Sequence, residues 1–151
     1  EIHRIDAEMT LHDAQIHRFP QWWMRSKRAG HAYAECFALH RSDGTGFRKK
    51  EVRSILFWGA GLPAATLALL ALVGGWALLL LLGYAALWVR VRRHRIKAGD
   101  TQPHANLYAS YCVIGKFAQA QGLASYCLGR LRRNPIQLIE YKTAAPSRVQ
   151  S

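Results

Sequence analysis

Residues 54–89 run for 36 positions without one charged side chain, and basic clusters close the run at both ends. Arg48, Lys49, Lys50 and Arg53 precede it; Arg90, Arg92, Arg93, Arg95 and Lys97 follow it. No soluble domain of this size needs such a stretch, so the run reads as a membrane segment. As one straight helix it would be about 54 Å long, against a hydrocarbon core of roughly 30 Å. Split at the turn signal Gly74-Gly75, it gives a helix over 54–73 and a shorter one over 76–91, each near the length of one crossing. Lys and Arg favour the cytoplasmic side, and a hairpin puts both basic flanks there. The other reading is one long tilted or in-plane helix. Trp58 and Trp88, at the two cytoplasmic ends, suit interfacial positions.

The net charge of +12 is unevenly spread: residues 1–53 carry +3 and residues 54–151 carry +9. Basic charge beside a membrane segment points to anionic phospholipid headgroups. A nucleic-acid partner is not expected, because no aromatic-and-basic platform lies outside the membrane region. Cys36, Cys112 and Cys127 make an odd number with no C-x-x-C pair, against a disulfide framework or a zinc site. The chain opens at Glu1 within a strand-like pattern and reads as a piece of something longer.

That pattern alternates over residues 4–11, with Ile5, Ala7, Met9 and Leu11 on one face, as in the edge strand of a sheet. His12-Asp13 ends it. Past Pro20, a helix is expected from Gln21 to His40, with Trp22, Trp23, Ala29, Tyr33 and Phe37 on one side and Gln21, Arg25 and Arg28 striped along another. Gly30 is expected to interrupt this helix. After Lys97 comes a loop, then residues 105–129 with Lys116 as their only charge. They form either a third span or an amphipathic helix lying in the cytoplasmic interface, the latter leaving Arg130, Arg132 and Arg133 among headgroups. The boundaries that follow are 1–53 for the end of a cytoplasmic domain, 54–91 for the hairpin, 92–142 for a basic loop and an interfacial or third helix, and 143–151 for a disordered tail.

Candidate chemistry concentrates between Asp6 and Arg28. Guanidinium groups on a fixed helix face suit phosphate oxygens, and tryptophans offer stacking surface to a sugar or a base. The same residues also serve plainer ends: Trp22 and Trp23 as packing, Arg25 and Arg28 as solvated charge, Asp6 and Glu8 as strand exterior. His12, with His3 or His17, has no helical metal-ligand spacing and reads better as a structural hydrogen-bonding residue.

The order of a strand, LHDA at 11–14, RF-x-QWW-x-R at 18–25, RAGHAYAE at 28–35, a basic patch, paired apolar helices, IGKF at 114–117 and LIEYK at 138–142 resembles the C-terminal part of bacterial membrane-bound family 2 glycosyltransferases. The resemblance covers about residues 2–142. It implies a membrane α-helical fold, a helical hairpin plus an interfacial or third helix, following the C-terminal edge of an α/β nucleotide-diphospho-sugar transferase domain. It also implies an inverting transfer from a nucleotide-sugar donor to a lipid-linked or membrane-proximal acceptor, in cell-surface polysaccharide or glycolipid synthesis. A divalent metal, Mg or Mn, would offset the leaving diphosphate, held by residues upstream of this chain. By this resemblance Gln21, Trp22, Trp23, Arg25 and Arg28 bind substrate or diphosphate, His12 stands at the site edge, and Asp13 is the one local candidate for the base. The expected location is the bacterial inner membrane, multi-pass, with the catalytic side cytoplasmic. Arg25 falls four residues after Gln21 where the family's Q-x-x-R-W element has three, and no Trp follows it, which points to addition of a single sugar. The alternative function is a non-catalytic membrane hairpin adaptor with basic lipid-binding surfaces.

Overall fold

The computed structural model describes residues 16, 18–42 and 44–132. The expected strand over 4–11, His12, Asp13 and the 138–142 motif lie outside the described residues. Among those described, all regular structure is helical.

Helix α1 (Phe19–Leu39) begins two residues earlier than the sequence pattern indicates. Pro20 sits in its first turn, where the missing N–H is not needed and the fixed φ favours the helix. The Gln21 side chain folds back to accept the Arg18 backbone N–H at 3.3 Å. Gly30 does not interrupt α1. It is buried mid-helix because a Cβ there would overlap the backbone of Gln119 on the neighbouring helix.

A turn with Gly46 and Arg48 at positive φ leads into α2 (Lys49–Leu56). The left-handed conformation of Arg48 (φ 60°) is unfavourable for a residue with a Cβ. Three contacts compensate: an ion pair with Glu51 at 3.0 Å and cation–π contacts with Tyr33 and Phe47 at 5.2 and 5.1 Å. A backbone hydrogen bond, and then the Arg48 guanidinium, hold the Glu51 carboxyl below its ordinary value.

The helical run continues to Lys97 and is long and apolar enough to cross a membrane. It is not one rod. A π-helical turn at Phe57–Gly61 precedes α3 (Leu62–Val73), and Pro63 explains it: without an N–H, it cannot bond the carbonyl of Gly59. The hydroxyl of Thr66, buried in α3, donates to the Leu62 carbonyl at 2.8 Å. At Gly74 the backbone takes φ 62°, ψ −148°, a region open essentially to glycine alone, and the chain reverses. A 3₁₀ stretch (Gly74–Leu81) then leads into α4 (Leu82–Lys97). The reversal is fixed by Tyr84, whose hydroxyl donates to the Trp58 carbonyl at 2.5 Å. In a straight helix those residues would be about 39 Å apart, so the single long helix is ruled out. Large side chains around the tip stay uncovered, including Leu67, Leu72 and Trp76.

The basic cluster belongs to α4 and not to a loop. The chain turns only at residues 98–101, with Gly99 at φ 99° and Arg95 clamped to Asp100 (Nε to Oδ2, 2.6 Å). Helix α5 (Gln102–Leu131) then runs antiparallel to α4, with Arg92 donating to Asn106 at 2.7 Å and Trp88 to Ser110 at 3.1 Å. On its other side α5 runs parallel to α1. Trp22 meets Tyr111 and Gly115, Gly30 meets Gln119, and His31 meets Tyr126, each pair further along both helices. Its polar residues do not segregate because α5 has no single outer face. It packs on α1, α4 and the π-turn through small residues, with Ala105, Ala109 and Ala118 fully buried.

The tightest point is Gly122, where a Cβ would overlap the Lys27 carbonyl and lie 2.8 Å from the His31 nitrogen. Backbone cannot yield as a flexible side chain does, so Gly122→Val is expected to destabilise the fold by about 3 kcal/mol or more. Gly75→Ala, with open space around it, is expected to change stability by less than about 1 kcal/mol. Denaturant titration of the helical circular dichroism signal checks both; equal midpoints would refute the close approach of α1 and α5.

Candidate functional site

Where the start of α1, the end of α4 and the first half of α5 meet, they enclose a groove of about 530 Å³. Its walls alternate rings and cations. Trp22 packs edge-on against Tyr111 with centroids 4.7 Å apart, and Phe19 lies 5.5 Å from Trp22. Arg95 lies 4.6 Å over the Tyr108 ring and is held by Asp100, whose carboxylate raises the guanidinium pKa. Arg18 at the start of α1 and His104 in the first turn of α5 complete the polar lining. Such a groove offers stacking faces beside the Arg18 cation and the Arg95–Asp100 ion pair, which suits a ligand joining a ring to a polar or anionic group.

The expected site residues divide here. Trp22 lines the groove. Trp23 packs 5.8 Å from Phe19, but its indole N–H donates to Gln121 at 3.2 Å outside the groove lining. Gln21 caps α1, and Arg25 and Arg28 lie exposed, apart from the groove lining. His12 and Asp13 are outside the described residues. Sequence reasoning missed Arg95, His104, Tyr108 and Tyr111. The i, i+3 spacing of Tyr108 and Tyr111 was the available signal, but it points to one helix face and not to the partner helix that makes it a wall.

Among the described residues, no three His, Cys, Asp or Glu side chains come together as metal ligands. The resemblance places the ligands of its divalent ion upstream of this chain. Behind the groove, Tyr108, Cys112 and Lys116 line an adjoining cavity of about 300 Å³. Burial pushes the Cys112 thiol up and the Lys116 ammonium down from their ordinary values. Comparison with protein-family models, curated proteins and solved structures found no match.

Because the thiolate is the reactive form, exposed Cys127 is expected to react with a maleimide well before Cys112 at pH 8. The Cys112 rate should rise at higher pH as its raised pKa is approached. Peptide mapping after timed labelling checks this; equal rates would show that α1 and α4 do not shield Cys112.

Proposed function

We propose that the chain is the acceptor-side, membrane-anchoring part of an inverting glycosyltransferase that uses a nucleotide-sugar donor at the cytoplasmic face of a bacterial inner membrane. The observation that carries this reading is the groove combining Trp22 and Tyr111 with Arg18 and Arg95, next to a helical hairpin whose outer surface is apolar. The return of α4 beside the π-turn also brings the two basic flanks to the same end of that hairpin. This favours two crossings with both ends cytoplasmic, and α5 in the interface beside them.

In the proposed reaction an acceptor hydroxyl attacks the anomeric carbon while the bond from that carbon to the diphosphate oxygen breaks. The proton passes to a carboxylate, for which Asp13 is the local candidate, and the electron pair leaves with the nucleoside diphosphate. Arg18 and Arg95, which line the groove, meet the phosphate charge. Trp22 supplies the surface on which a sugar or an isoprenoid-type chain lies.

In membranes containing the full-length enzyme, Trp22→Ala is expected to lower sugar transfer roughly tenfold. Arg95→Gln should lower it about tenfold to a hundredfold, with insertion unchanged. Unchanged transfer in both variants would sink the groove as the site. The coding sequence upstream of Glu1 should carry an α/β pattern with a D-x-D type acidic motif; a start codon immediately there favours the non-catalytic hairpin adaptor. A reporter fused after Lys142 should read cytoplasmic, and a periplasmic signal would overturn the two-crossing topology.

A further inference from the structure

A second built surface lies on the opposite side of α4 from its Arg92–Asn106 contact with α5. Ala86, Arg90 and His94, spaced i, i+4, i+8, form a ridge shared by two furrows. The furrow of about 650 Å³ continues over Val89, Arg93 and Lys97. The other, about 680 Å³, is a three-walled cleft with Ser54 and Trp58 facing α4 and with Tyr108 and Cys112 as its floor. Each furrow is apolar toward the hairpin tip and cationic toward the end of α4.

Among the described residues, the charge on this surface has no internal counterpart. The described residues include three carboxylates, and each already has a neighbour elsewhere: Glu51 pairs with Arg48, Asp100 with Arg95, and Glu35 lies 4.0 Å from His31. None of them faces Arg90, Arg93 or Lys97. The cations stand at the headgroup end of the apolar hairpin, where the Trp58 ring marks the boundary.

We propose that this ridge is a binding site for a single anionic diacyl glycerophospholipid. The phosphodiester sits at Arg90 and His94, and one acyl chain lies in each furrow, along Val89 on one side and along Leu87 and Trp58 on the other. Charge complementarity selects the headgroup, and the paired furrows select a two-chain lipid. The site rests on the hairpin being in the membrane, and it is separate from the groove where transfer is proposed.

The test uses the full chain, first floated with phosphatidylcholine vesicles and then analysed by native mass spectrometry in detergent with equal phosphatidylglycerol and phosphatidylcholine. The expected result is flotation, preferential retention of one phosphatidylglycerol, and a loss of that retention of about fivefold in Arg90→Gln. Arg130→Gln, at the far end of α5, should retain the lipid as the unaltered chain does. Flotation with equal retention of the two lipids overturns the site and leaves the membrane reading standing; no flotation overturns both. Equal loss in Arg90→Gln and Arg130→Gln reduces the preference to general surface charge and also overturns the site. Should Arg90→Gln fail to fold, His94→Gln on the same ridge is read against Arg130→Gln in the same way.

Discussion

The structure depends on one close contact, the backbone-to-backbone approach of α1 and α5. Glycine at 30 and 122 lets each helix press on the other's main chain, with Ala34 and Ala118 buried alongside. Such packing replaces large interlocking side chains with van der Waals contact along two backbones, a device common where helices associate without help from water. It also sets everything outward of it. With the axes this close, Trp22 falls against Tyr111, Phe37 and Tyr126 pack around Ile55, and α5 still has room to receive α4 on its other flank.

The apolar hairpin was the most legible part of the chain: an uncharged run this long is apolar enough to cross a membrane, and its basic ends mark where it stops. Gly74 as the reversal point was legible for the same reason: a Gly-Gly pair in the middle of an over-long apolar run marks where the backbone is free to turn. The role of Gly30 was not. Local propensity treats glycine as a helix breaker, and only the partner helix reveals it as the point of contact. Likewise, residues 105–129 look ambiguous alone because α5 answers several neighbours at once. A periodicity argument assumes one buried face, and α5 has several.

The groove was half visible. Trp22 stood out by composition, but the residues opposite it come from chain 73 or more positions away, and Arg95 was absorbed into the count of flanking charge. The stripe of Gln21, Arg25 and Arg28 was a real helical stripe. It faces outward on α1, whereas ring-and-cation pairing occurs on the next face round. A helical projection orders residues around an axis and says nothing about which sector another element covers.

One feature of α4 fixes a distance. It runs unbroken from Leu82 to Lys97, joining the apolar hairpin at Tyr84 to the groove at Arg95 without a linker. Those two points are separated by about 17 Å of rigid helix. With the hairpin inserted as proposed, the height of the groove above the hydrocarbon layer is built into the number of turns in α4. Inserting or deleting one residue there would rotate Arg95 by about 100° and withdraw it from Tyr108 and Asp100. On that insertion α4 is a gauge as well as an anchor: it measures out from the bilayer the level at which the aromatic walls stand.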